Sequence, residues 1–196
     1  MASVEPYRVI QAGYRPDPVQ GTEPMPLFID IEASSLRRPL SYPTEIAWST
    51  ADGRIESRLI RPEPTWSDWS VSAEALTGLS RERLLAEGLP VRQVAEVLNR
   101  SLAGATLYCD GGGHDAFWLG RLFEAAGCRC AFQLADIKRL IPAGLDDRPE
   151  WPQELRAMVE AARREAGPAH RARSDVRYLQ FLYRRVLRSL RGSGCV

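Results

Sequence analysis

A chain of 196 residues, 44% hydrophobic and 26% charged, is long enough for one domain with a sizeable core. Its net charge of +1 excludes a protein that coats nucleic acid through bulk positive charge. No apolar run reaches the length that spans a bilayer, so a membrane is not expected among its partners. The opening residues, Met1-Ala2-Ser3-Val4-Glu5-Pro6-Tyr7-Arg8, lack the basic start and apolar stretch of a signal peptide, which points to a cytoplasmic protein. Cys109, Cys128, Cys130 and Cys195 have neither zinc-ligand spacing nor the look of a disulfide framework.

In chain order, residues 1–24 carry prolines and glycines without sustained periodicity and read as a tail. A first strand is expected at Pro26–Ile31. Its end, Leu27-Phe28-Ile29-Asp30-Ile31-Glu32, is an apolar run closing on two carboxylates. Residues two apart on a strand point to one side, so Asp30 and Glu32 project together. Alone, such a pair is commonly a solvated strand end. Held close, the two charges repel and raise each other's pKa, and a hard divalent cation such as Mg²⁺ or Mn²⁺ removes that cost. A loop over Ala33–Pro39 leaves the strand just past the carboxylates. Strands at Thr44–Thr50 and Arg54–Ile60 flank the turn Asp52-Gly53, giving an antiparallel meander with the carboxylate strand at one side.

The Pro- and Trp-rich segment Arg61–Ser72 reads as a long surface loop, whose Trp66 and Trp69 either stack on a base or anchor the loop to the core. Ser80 is placed to cap a helix over Arg81–Glu87 that stops at Gly88. A helix from Pro90 to Leu102 follows, with Val91, Val94, Ala95, Leu98 and Leu102 on one face. A buried strand at Ala105–Cys109 leads through Asp110-Gly111-Gly112-Gly113 into a helix over His114–Ala126. A last strand is expected at Cys130–Ala135, then helices at Gln153–Glu165 and Arg171–Leu190. Arginines crowd the stretch from Arg156 to Arg191; arginine pairs bidentately with phosphate, although such a helix face is often merely solvated.

Acidic residues recur at the junctions. Asp115 opens the helix after the fourth strand, His170 precedes the final helix, and Asp175 lies in its first turns. With Asp30 and Glu32 they form an Asp-x-Glu, a distant Asp and a His-x4-Asp. Phe28-Ile29-Asp30-Ile31-Glu32-Ala33-Ser34-Ser35-Leu36, Asp115-Ala116-Phe117-Trp118-Leu119 and Ala169-His170-Arg171-Ala172-Arg173-Ser174-Asp175 resemble, in order, the three motifs of the DEDDh 3′→5′ exonucleases. That family includes RNase T, oligoribonuclease and the proofreading subunit of bacterial replicative polymerase. The resemblance implies an α/β fold of ribonuclease H-like type, a mixed sheet flanked by helices, in a single domain over residues 25–192.

It further implies two-metal phosphodiester hydrolysis with Mg²⁺ or Mn²⁺. By that resemblance Asp30 would bridge both ions, Glu32 and Asp175 would hold the ion that binds the attacking water, and Asp115 would help hold the other. His170 would be the general base, with Ala33, Ser34 and Leu36 meeting the substrate and Leu36 as an apolar wedge. The implied partners are 3′ ends of single-stranded RNA or DNA, with RNA slightly preferred, and several relatives are homodimers. Two departures stand out. Asp110-Gly111-Gly112-Gly113-His114 replaces the family's His-Asn-x-x-Phe, making Asp110 the alternative third ligand and placing an extra imidazole, His114, nearby. Ser35 stands where a glycine commonly precedes the leucine. From another functional class, a catalytically silent binding module is the rival, and a hydrolase of very short oligonucleotides is a third reading.

Overall fold

The computed structural model describes residues 25–142 and 148–192; the expected N-terminal tail lies outside them. Five strands form one mixed sheet: β1 (Leu27–Ala33), β2 (Pro43–Ser49), β3 (Ile55–Leu59), β4 (Thr106–Cys109) and β5 (Gln133–Asp136). Their spatial order is β3-β2-β1-β4-β5. β1–β2 and β2–β3 pair antiparallel, while β4 runs parallel to both β1 and β5. The carboxylate strand is thus at one side of the meander and at the centre of the whole sheet.

Alternation along β1 divides the core. Ile29 and Ile31 pack with Ile46 and Trp48 of β2 into one cluster. That cluster is covered by the apolar stripe of α3 (Val91–Leu102) and by Trp118, Leu119, Leu122 and Phe123 of α4 (Gly113–Ala126). Phe28 and Ala47 face the opposite side, against Val176, Leu179, Leu182 and Val186 of α6 (Ala172–Gly192), with α5 (Trp151–Ala166) packed beside it. Asp30 and Glu32 share the Phe28 face. Phe28 meets the ring of Tyr183 at 5.9 Å between centroids.

The turn at Asp52-Gly53 closes as expected: Thr50 N donates to Arg54 O and Gly53 N to Thr50 O, both at 2.8 Å, with Gly53 at φ 81°. Ser80 caps α2 (Arg81–Glu87) by accepting from Arg83 N at 3.2 Å. The expected surface loop over Arg61–Ser72 requires correction, because α1 (Val71–Thr77) begins inside it. Ser70 Oγ accepts from Ala73 N, and Gly78 closes the helix in the left-handed region. This short helix buries only Thr77, so it carries no apolar stripe to reveal it. Trp66 and Trp69 settle as anchors. Trp66 is buried and stacks on Tyr42 at 5.0 Å, and Trp69 packs on the core while its indole N–H donates to Glu74 at 2.7 Å. The last strand is shifted from its expected place at Cys130–Ala135 to Gln133–Asp136 and leads into a 3₁₀ turn at Ile137–Leu140. No helix among the described residues is long and apolar enough to cross a membrane.

Candidate active site

The fold brings three of the four chosen acids, Asp30, Glu32 and Asp175, into one cluster that does not include Asp115. β1 delivers Asp30 and Glu32, and α6 delivers Asp175 from its first turn. One carboxylate oxygen from each lies within 4.8 Å of the others. Asp115, in the first turn of α4, is buried at 2% exposure. Its charge is the largest single electrostatic influence on Asp30. Among the described residues its Oδ2 is a buried oxygen with no hydrogen-bond partner. His170 sits in the exposed joint between α5 and α6, directly after Gly167-Pro168-Ala169, with its backbone at φ 61°.

Electrostatics follow from that crowding. Burial, then the charges of Asp115, Glu32 and Asp175, push the Asp30 carboxyl well above the usual carboxylate range. Glu32 is pushed up to about 8 by burial and by Asp175 and Glu45, against a lowering influence from Arg171. Asp115 is pushed up to about 7, mainly by burial, while hydrogen bonds from Cys109 and from the backbone of Gly111 oppose the rise. The raised carboxyls of Asp30, Glu32 and Asp115, and the unpartnered buried oxygen of Asp115, match what a hard divalent cation would relieve. The donor set fits Mg²⁺ or Mn²⁺.

Arginine already neutralises part of the rim. Arg163 of α5 pairs with Asp175, reaches Asp110 at 3.6 Å and stacks over Tyr178 with its guanidinium carbon 3.4 Å from the ring centroid. Asp110 thus has a counter-ion outside the three-acid cluster, and Asp115 carries the buried unpaired oxygen. His114 packs on Trp118 at 5.5 Å, the behaviour of a helix-start residue.

Three supporting residues escaped the sequence reading. Asp68, at the end of the Trp-rich loop, is buried and accepts from Ser34 Oγ at 3.1 Å, Ser35 Oγ at 2.5 Å and the guanidinium of Arg37. It holds the loop that presents Leu36, which is 75% exposed. Glu45 ties β2 to the start of α6. Gly111 makes room for the third motif acid: a β-carbon there would come within 2.5 Å of Asp115 Oδ2. The Gly-run signalled a turn, whereas the need for that close approach appears only in three dimensions. Gly111→Ala is therefore expected to displace the Asp115 carboxylate and weaken Mn²⁺ binding roughly tenfold. Calorimetric titration of Mn²⁺ into the folded variant checks this, and an unaltered isotherm would remove Asp115 from the ligand set.

No protein-family model matches the chain, and no curated protein matches it. Solved structures do. The zinc-bound form of Escherichia coli exonuclease I with single-stranded DNA aligns at TM-score 0.62 and 16% identity, over 85% of this chain and 40% of that one. The E. coli exonuclease I complex with a dT13 oligonucleotide aligns at TM-score 0.61 and 17% identity, over 85% and 41%. A product-bound exonuclease I aligns at TM-score 0.59 and 15% identity, over 85% and 44%. This chain thus spans about two-fifths of the length of the exonuclease I chains it matches. Five strands in the order β3-β2-β1-β4-β5, helices on both faces and this likeness give the chain the ribonuclease H-like fold expected above, which it shares with the exonuclease I structures.

Proposed function

We propose that the chain is a metal-dependent 3′→5′ exonuclease that trims single-stranded nucleic acid by phosphodiester hydrolysis. The observation that carries this reading is the meeting of Asp30, Glu32 and Asp175 within 4.8 Å, on a fold shared with exonuclease I. When bound, a pair of Mg²⁺ or Mn²⁺ ions supplies Lewis-acid stabilisation of the charge that develops on the phosphoryl oxygens. Asp30, Glu32, Asp115 and Asp175 are the residues that would hold them.

The chain's own residues do the rest. His170 accepts a proton from the attacking water as the general base, a role an imidazole can fill because one ring nitrogen carries a free lone pair. Water oxygen bonds to phosphorus as the bond from phosphorus to the 3′-oxygen of the penultimate nucleotide breaks. A nucleoside 5′-monophosphate leaves, and the shortened strand ends in a new 3′-hydroxyl. Leu36, exposed on a loop braced by Asp68, wedges against the terminal base, with Ala33 and Ser34 lining the approach. Single strands are favoured because a duplex end must first fray, at a stacking cost of ~1.4 kcal/mol per step. The oligonucleotides held by the similar exonuclease I structures are DNA, which moves the first substrate from the RNA expected above to single-stranded DNA.

Digestion of 5′-labelled DNA and RNA oligonucleotides with Mg²⁺, Mn²⁺ or EDTA tests the reading. A descending ladder that EDTA abolishes is expected, faster on DNA, with a 3′-phosphate blocking the reaction. Immediate release of the labelled mononucleotide, or cleavage of a circle, would overturn the polarity or the exonuclease assignment. Tight binding without hydrolysis would establish the silent binding module instead.

A further inference from the structure

β2 places a fifth acid beside the site. Glu45 is the Cα partner of Glu32 in the antiparallel β1–β2 register, so both side chains leave the same face of adjacent strands. Glu45 is 2% exposed, yet its carboxylate is fully partnered. Arg171 Nε donates to Oε2 at 2.9 Å and Arg171 Nη2 to Oε1 at 3.0 Å, a two-pronged pair. The backbone N–H of Ala172 donates to Oε2 at 3.2 Å, which ties the same carboxylate to the first residue of α6. Arg171 also lies near enough to Glu32 for each to influence the other's ionisation. One guanidinium therefore has two neighbouring carboxylates to choose between, and it is bonded to the one outside the three-acid cluster.

We propose that Glu45 is a positioning residue that holds Arg171 away from Glu32 and so keeps Glu32 open as a cation ligand. This rests on the reading that Asp30, Glu32 and Asp175 bind a divalent cation. A guanidinium and a metal ion compete for the same carboxylate lone pairs. Asp175 already shares its carboxylate with Arg163. A second arginine on Glu32 would leave Asp30 as the one member of the cluster without a guanidinium on it. Glu45 prevents this by offering Arg171 a better geometry: two parallel donors onto a buried carboxylate, reinforced by the helix-start amide. The bland role, a buried ion pair that merely fastens α6 to β2, is served by the same bonds. What separates the two is where the freed positive charge goes when Glu45 loses its own.

Glu45→Gln keeps the shape and an acceptor for Ala172 N–H but removes the charge. Mn²⁺ is titrated calorimetrically into metal-free wild type, Glu45→Gln and the double variant Glu45→Gln/Arg171→Met, with a thermal melt of each to establish folding. Mn²⁺ affinity is expected to fall roughly 10- to 100-fold in Glu45→Gln and to return close to the wild-type value in the double variant, where the competing guanidinium is gone. An unchanged affinity in the single variant, or a double variant as weak as the single, overturns the proposal. Should Glu45→Gln melt too low to titrate, Arg171→Met carries the test: its Mn²⁺ affinity is expected to hold at or above wild type, and a loss overturns the proposal. A wild type that gives no Mn²⁺ isotherm at all removes the cation reading, and this inference with it.

Discussion

Asp30→Asn is expected to abolish hydrolysis while leaving the metal-free protein at least as heat-stable as wild type. Asp30 lies at the centre of the acidic set, and its carboxyl is held well above the usual range by burial and by Asp115, Glu32 and Asp175. Replacing it with an amide would remove a ligand of the proposed metal site and, at the same time, relieve repulsion among the carboxylates. The pH dependence carries the same signature. Glu32 ionises near 4.5 in an unfolded chain but at about 8 in the folded one. Between those values the folded state binds more protons than the unfolded state, so the stability supplied by this group is present at low pH and drains away as pH rises. Asp115, raised to about 7, acts in the same sense over a narrower window. Melting curves of metal-free wild type should therefore drop across pH 5–8 more steeply than those of Asp30→Asn, and saturating Mg²⁺ should flatten the wild-type curve. Near-wild-type turnover by Asp30→Asn, or a melting temperature well below wild type, would sink the central placing of this residue.

His170→Ala is expected to lose roughly 10²–10⁴ in rate, the contribution of a general base, while binding Mn²⁺ as wild type does. The distinction matters because His170 lies five residues before Asp175 but outside the three-acid cluster. Its backbone adopts a left-handed φ of 61°, which costs a residue with a β-carbon about 1–2 kcal/mol. Single-turnover rates, paired with calorimetry, separate the roles. A Mn²⁺ isotherm that collapses together with the rate would make His170 a ligand.

The parts of this architecture that the sequence disclosed are those written in local pattern. Asp30 and Glu32 were visible because a strand's period of two puts them on one side, and the α3 stripe because Val91, Val94, Ala95, Leu98 and Leu102 repeat at helical spacing. His170 and Asp175 were visible as a fixed spacing at a helix start. The partners of these residues were not. Glu45 and Arg171 are 126 positions apart, and neither carries a mark that it seeks the other. Asp68 lay in a segment whose prolines and tryptophans advertised irregularity, and α1 within the same segment buries too little to show a period. Gly111 looked like any turn glycine until the Asp115 carboxylate was seen where its β-carbon would be. Long-range hydrogen bonds and close approaches depend on which elements the topology makes neighbours, and no single window of sequence contains that information.

The central position of β1 has a consequence for how the site breathes. Its Phe28, Ile29 and Ile31 are sealed between helices on both faces, with β2 paired from Ile29 onward and β4 at Leu27 and Phe28, so their amides are expected to open slowly. Asp30 and Glu32 ride on that strand. Asp175 enters from the buried first turn of α6, a separate element that follows the exposed joint carrying His170. The acidic cluster therefore straddles the seam between the central strand and the start of α6. Any ion gripped by both sides would act as a rivet across that seam, lending the helix end the slow exchange of the strand.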